Sequence, residues 1–166
     1  MKKGASRKFF KKIDWNILFL SLIAIYATAI LGGLFTSRGA NSFWYLTVRP
    51  SITPPNWVFP VVWNILFFLI FLALYLCLVN VKNKKICSKV ELCFGINLVL
   101  NFLWSYFFFG LRNPKLAFVD LILLWFSIIS IIYSSWKIDK RISILLVPYF
   151  LWVTFAGVLN YLIAFA

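Results

Sequence analysis

Five apolar runs, each long enough to cross a bilayer as a helix, take up most of the 166 residues of this chain. An α-helix rises about 1.5 Å per residue, so about 20 apolar residues cross about 30 Å of hydrocarbon. The runs cover about 13–35, 57–80, 91–110, 116–136 and 143–165. Apolar residues make up 63% of the sequence and charged residues 13%, about half the charged share of soluble domains. A soluble domain of this length keeps much of its chain at the surface and cannot hide so much apolar area. The expected fold class is all-α: a single polytopic membrane domain over 1–166, a five-transmembrane-helix bundle. Connectors are short except for 36–56, which makes successive helices antiparallel neighbours. No internal repeat is evident, and an odd number of spans argues against the paired inverted repeats of many transporters.

The net charge of +13 is divided among the segments between the runs. That distribution argues against the continuous basic face of a nucleic-acid-binding protein and suits anchors facing anionic headgroups. The N-terminal segment holds Lys2, Lys3, Arg7, Lys8, Lys11 and Lys12. The second connector holds Lys82, Lys84, Lys85 and Lys89, and the fourth holds Lys137, Lys140 and Arg141. These thirteen lie on one side, against Arg38, Arg49, Arg112 and Lys115 on the other. The bias places the N-terminus in the cytoplasm and the long first connector outside. Ala27-Thr28-Ala29 after a basic start imitates a signal-peptide cleavage site, but the apolar run continues to Phe35 and favours a retained helix.

Cys77, Cys87 and Cys93 are odd in number and lack metal-ligand spacing, and the sequence has no histidine. Neither a metal site nor a disulfide framework is expected. Nothing matches a phosphate-binding glycine loop or a nucleophile elbow, so no catalytic residue is assigned.

The first connector reads Phe43-Trp44-Tyr45, then Pro50-Ser51-Ile52-Thr53-Pro54-Pro55-Asn56-Trp57-Val58-Phe59-Pro60. Prolines fix φ and restrict their predecessors, so this segment is expected to form a stiff, extended lid over the bundle mouth. Trp63 follows Phe59 by one turn and precedes Phe67 by one turn. Asn97, Asn101 and Ser105 repeat every four residues, with Trp104 and Phe108 on a neighbouring stripe. Pro148, Trp152, Ala156 and Asn160 repeat likewise. Amides in hydrocarbon need partners, so both asparagine stripes should face inward, either joining helices or lining a pocket. Asp120 is the one acid well inside a span; it should be neutral, or bonded to a Trp, Asn or Ser of a facing helix. Gly32 and Gly33, with Ala24, Thr28 and Ala29, allow close helix contact in the bundle or between protomers.

Three motifs in this order resemble the translocator protein family, also called tryptophan-rich sensory protein or peripheral benzodiazepine receptor (TspO/MBR). They are Pro50-Ser51 through Thr53-Pro54-Pro55-Asn56-Trp57-Val58-Phe59 with Trp63; Leu100-Asn101-Phe102-Leu103-Trp104-Ser105-Tyr106-Phe107-Phe108; and Pro148-Tyr149-Phe150-Leu151-Trp152-Val153-Thr154-Phe155-Ala156 with Leu159-Asn160. The resemblance implies a five-helix bundle, commonly a homodimer, with a pocket beneath the first connector for porphyrins, sterols and isoquinoline-type drugs. By motif, the pocket residues would be Trp44, Tyr45, Pro54, Pro55, Trp63, Asn101, Phe107, Asp120, Trp152 and Ala156. The sequence departs from the family pattern at Ile52, often tryptophan, and after Asn160-Tyr161, where the basic residue of the animal sterol-recognition stretch is missing. The function implied is a membrane receptor or sensor for tetrapyrroles, with porphyrin as ligand and no cofactor. The alternatives are a transporter of porphyrins or related metabolites, a light-dependent porphyrin-degrading enzyme, and a scaffold whose aromatics only pack helices.

Overall fold

The computed structural model describes residues 13–81 and 83–166. The six basic residues of the N-terminal segment and Lys82, which contribute to the charge bias, lie outside the described residues, as does the side chain of Lys84. Five long helices are present: α1 (Trp15–Gly39), α3 (Val58–Asn80), α4 (Lys84–Ser105), α5 (Pro114–Trp136) and α6 (Lys140–Ala164). A short helix, α2 (Phe43–Val48), sits in the first connector, and α4 continues into one π-helical turn, Tyr106–Gly110. Each of the five long segments is apolar and long enough to cross a membrane. The chain is an integral, multi-pass membrane protein.

The helix starts are written in the local sequence. The first N–H groups of a helix have no intrahelical acceptor and need one where water thins out. Asp14, Ser42, Asn83, Asn113 and Asp139 each accept from an N–H of the helix they precede. Pro114 opens α5, where its missing N–H costs nothing. Helix α3 has no side-chain cap and emerges from the proline segment instead, the Val58 N–H donating to the Pro55 carbonyl at 2.9 Å.

Two boundaries differ from the sequence expectation. Helix α1 runs past Phe35 to Gly39, and α4 begins at Lys84 rather than near residue 91. Backbone hydrogen bonds do not stop where hydrocarbon does, so polar interfacial residues such as Thr36 and Ser37 continue the helix. The lid is also less extended than its prolines imply. Its first half is helical over Phe43–Val48; a turn closed by Thr53 N–H to the Pro50 carbonyl follows, and Thr53, Pro54 and Pro55 then run without helix or turn.

Around the bundle the helices follow the order α1, α3, α6, α5, α4, with α4 closing the ring against α1. The main core inside this ring draws on all five long helices: Ile25 of α1, Leu66 and Ile70 of α3, Phe94 and Leu98 of α4, Leu124 and Ile128 of α5, and Tyr149 and Val153 of α6 are all buried there. The outward residues, among them Phe19, Ile30, Ile65, Phe126 and Leu151, are large, apolar and exposed, as a lipid-facing surface requires.

A polar relay crosses this core. Asn101 donates from Nδ2 to the Tyr149 hydroxyl at 3.1 Å, which donates to Oδ1 of Asn97 at 3.2 Å. Asn97 then donates from Nδ2 to the Ser127 hydroxyl at 2.8 Å, and Ser127 donates to the Leu124 carbonyl at 2.7 Å. Tyr149 and Asn97 are each 1% exposed. The relay therefore ties α4, α5 and α6 together in one register. A second tie joins Trp104 Nε1 to Oδ1 of Asn160 at 3.0 Å, with Asn160 donating on to the Pro114 carbonyl at 2.8 Å. Both asparagine stripes face inward and join helices.

Replacing Tyr149 by Phe removes two relay bonds at almost constant volume. Intramembrane hydrogen bonds contribute about 0.6 kcal/mol on average and at most about 1.7 kcal/mol, so Tyr149→Phe should lose about 1–2 kcal/mol. Reversible unfolding in mixed micelles measures this; a variant as stable as the parent would show that the relay does not hold the helices.

Candidate functional site

Two cavities adjoin beneath the first connector. The larger has a volume of about 440 Å³ and lies between α1, α3 and α4, within the usual range of small-molecule sites. Helix α1 supplies Tyr26, Gly33, Thr36 and Ser37; α3 supplies Phe59, Trp63, Asn64 and Phe67; α4 supplies Asn101, Trp104 and Ser105. The connector closes one end with Asn41 and Asn56. The smaller cavity, about 40 Å³, is lined by Tyr45 of α2, Phe108 and Phe109 of the π turn, and Trp152, Ala156, Asn160 and Ile163 of α6. Thr36, Ala40, Phe59, Trp63 and Trp104 line both, so the two volumes share a largely aromatic partition.

Glycines set the shape of the larger cavity. At Gly32 a Cβ would stand 3.2 Å from the Ser105 hydroxyl, so glycine allows α1 to lie close to α4 there. Thr36 continues that contact, its hydroxyl 3.5 Å from that of Ser105. One residue on, a Cβ at Gly33 would meet nothing within 4 Å. Gly33 borders open volume.

The π turn builds the smaller cavity. Its wider turn, marked by Leu111 N–H donating to the Tyr106 carbonyl at 2.8 Å, re-aims the three phenylalanines that end α4. Phe108 stacks on Trp104 with ring centroids 5.2 Å apart, and Phe109 meets Tyr45 edge-on at 5.5 Å. Gly39 accommodates this turn, since a Cβ there would lie 2.6 Å from the Cβ of Phe109.

Of the residues expected in the pocket, Trp63 lines both cavities, Asn101 the larger, and Tyr45, Trp152 and Ala156 the smaller. The other five line neither. Trp44 lies against Phe108, ring centroids 5.7 Å apart, at the outer edge of the aromatic cluster. Pro54 and Pro55 shape the lid, and Phe107 is turned away by the π turn, next to Tyr106. Asp120 is buried in α5, and its Oδ2 has no hydrogen-bond partner. No Trp, Asn or Ser of a facing helix reaches it, so of the two expectations, a neutral carboxyl or a bonded one, the bonded one is not met; Ala117, Leu121 and Leu124 of the same helix are buried beside it. Asn41, Asn56, Phe109 and the face of α1 were not singled out in the sequence as lining residues. The paired glycines signalled close helix approach, but nothing in the sequence announces a π turn.

The larger cavity combines flat walls with few polar groups. The Trp63 ring centroid is 5.3 Å from that of Phe67 and 6.3 Å from that of Tyr149, which it meets edge-on, and Phe59 meets Trp152 edge-on at 5.9 Å. The indole N–H of Trp104 is committed to Asn160, whereas that of Trp63 and the side-chain carbonyl of Asn101 have no partner among the described residues. At the connector end, Asn56 donates to Oδ1 of Asn41 at 2.8 Å and to the Ala40 carbonyl at 3.3 Å, and it accepts from Arg49 Nη1 at 3.4 Å. The sequence has four acidic residues, Asp14, Glu91, Asp120 and Asp139, and none pairs with Arg49, whose hydrogen bond goes to a neutral amide. Burial pushes the Tyr45 phenol above its ordinary range despite the nearby Arg49 charge, so it stays a neutral donor. Among the described residues no cluster of three or more His, Cys, Asp or Glu could hold a metal.

A model of the TspO/MBR family matches residues 19–166. The chain is 41% identical over 151 residues to the tryptophan-rich protein TspO of Archaeoglobus fulgidus, covering 89% of this chain and 96% of the relative. It is 39% identical over 137 residues to the protein of the same name from Chlorobaculum tepidum, covering 82% and 87%. The translocator protein of Bos taurus is 31% identical over 134 residues, covering 79% and 78%. With that match over most of its length, and five membrane-spanning helices ringed around an aromatic cavity, the chain belongs to the TspO/MBR family.

Proposed function

We propose that this protein is a membrane receptor or sensor that binds an acidic tetrapyrrole in the larger cavity under the first connector. The observation that carries this reading is the cavity between Trp63, Trp104 and the bare backbone at Gly33. A porphyrin presents two broad apolar faces and a carboxylate-bearing edge. Indole walls suit the faces. The edge would lie at Asn41 and Asn56, where Arg49 supplies a guanidinium without an acidic partner. Because the sequence has no histidine, the commonest iron ligand is missing, and binding rests on ring faces and edges rather than on metal.

The charge bias of the connectors supports an orientation with the N-terminus in the cytoplasm and the cavity mouth toward the outer face. A second reading, transport of such ligands, takes its support from the name of the bovine relative, translocator protein. Flux of protoporphyrin into sealed proteoliposomes separates transport from binding alone.

A tryptophan-fluorescence quenching titration tests this reading. Metal-free protoporphyrin should bind at least as well as haem, and Trp63→Ala should weaken it about tenfold, equivalent to about 1.4 kcal/mol. Gly33→Leu should leave the fold intact, because its side chain enters open space, yet lower affinity at least as much. Full affinity in both variants would remove the ligand from this cavity. The dimethyl ester should bind about tenfold more weakly than the free acid, a charge-assisted bond contributing about 1.5–3 kcal/mol, and Arg49→Gln should erase that difference. An ester that binds the parent as tightly as the acid would show that Arg49 holds no carboxylate.

A further inference from the structure

The end of the bundle away from the first connector carries a second feature. A crevice of about 110 Å³ runs between the first turns of α4 and the last turns of α5. Its floor is apolar, at Val90, Phe94, Ile131 and Ile138, and its rim holds Lys89 and Ser134. Ser135 and Cys93 complete the lining, Ser135 buried and Ser134 exposed, so the crevice has the make-up of an amphiphile site: mostly hydrocarbon below, a cation and an exposed hydroxyl above.

Among the described residues the lysines nearby have no acidic partner. Lys85, Lys89, Lys137 and Lys140 are all exposed. Among the described residues the one ion pair joins Arg141 to Asp139 at 2.7 Å, and that guanidinium holds the Asp139 carboxyl below its usual range. Glu91 accepts from the Cys87 thiol at 3.6 Å on α4 itself. Lys137 and Lys140 rest over the exposed rings of Tyr133 and Trp136, at 5.2 and 5.3 Å from the centroids. Aromatic rings with lysines folded over them mark the depth of the lipid headgroups. At that depth the abundant anion is a lipid phosphate, and basic pockets between membrane helices bind such headgroups.

We propose that this crevice is a binding site for an anionic glycerophospholipid. The phosphate sits between Lys89 and Ser134, Lys137 adds charge from the end of α5, and an acyl chain lies along Val90, Phe94, Ile131 and Ile138. The site is separate from the aromatic cavity and does not depend on the ligand proposed for it.

The full-length protein, reconstituted in phosphatidylcholine bilayers doped with phosphatidylglycerol and then extracted in mild detergent, provides the test. Mass spectrometry of the retained lipid should show phosphatidylglycerol enriched over its share of the bilayer, and added phosphatidylglycerol should raise the thermal unfolding midpoint in detergent. Lys89→Gln should reduce apparent affinity about fivefold, corresponding to the about 1 kcal/mol of one lysine near an anionic surface. Ser134→Leu, which fills the crevice without altering charge, should reduce it as well. Lys115→Gln, at the opposite end of α5, should change nothing. Equal loss in Lys115→Gln would mean diffuse attraction and overturn the site. So would retention of phosphatidylcholine at its bilayer share, full retention in both Lys89→Gln and Ser134→Leu, or an equal thermal shift from inorganic phosphate, which would identify a small-anion site instead.

Discussion

Hydrocarbon gives a polar group no solvent to fall back on, and the relay from Asn101 through Tyr149 to Asn97 and Ser127 is where this protein meets that constraint. Each of the relay's four side chains bonds to another helix or to its own backbone. Because the bonds are directional, α4, α5 and α6 have one register in which all are made. Aliphatic surfaces alone would not choose it, since lipid tails solvate leucine as well as another leucine does. The relay thus makes one side of the ring rigid, and the cavity forms on the other side, between α1, α3 and the outer half of α4. Asp120 is the exception within this rigid side, a carboxyl with a buried oxygen and no partner.

The cavity persists for a related reason. Its walls are rings that brace one another, Trp63 against Phe67 and Tyr149, and Trp104 against Phe108. Trp104 is further pinned through its N–H to Asn160, which is itself held by the Pro114 carbonyl. Small residues on α1 then leave volume rather than filling it. A site of this kind is preformed, so a rigid flat ligand enters it with little ordering of the protein.

Much of the bundle was legible in the sequence because the relevant signals are local. Length and hydropathy gave five spans, and the Asx and Pro residues at their starts act within one turn. The inward direction of Asn97, Asn101 and Asn160 followed from the cost of an amide in lipid. What was not legible depends on non-local geometry. The π turn at Tyr106–Gly110 shifts which of three consecutive phenylalanines face inward, so Phe108 and Phe109 line the smaller cavity and Phe107 does not. The contribution of α1 arises from two glycines whose effect depends on what lies opposite: Gly32 meets Ser105, while Gly33 meets nothing. The prolines drew attention to an extended connector and hid the helix Phe43–Val48 that precedes them.

The most direct test of the central claim is a crystal structure of the protein with protoporphyrin bound. The account predicts the macrocycle inside the ring of helices, one face against Trp63, its carboxylates toward Asn56 and Arg49, and the Asn101–Tyr149–Asn97 relay unchanged. A macrocycle lying on the lipid-facing surface of α1 or α5, with the volume beside Gly33 still open, would contradict it.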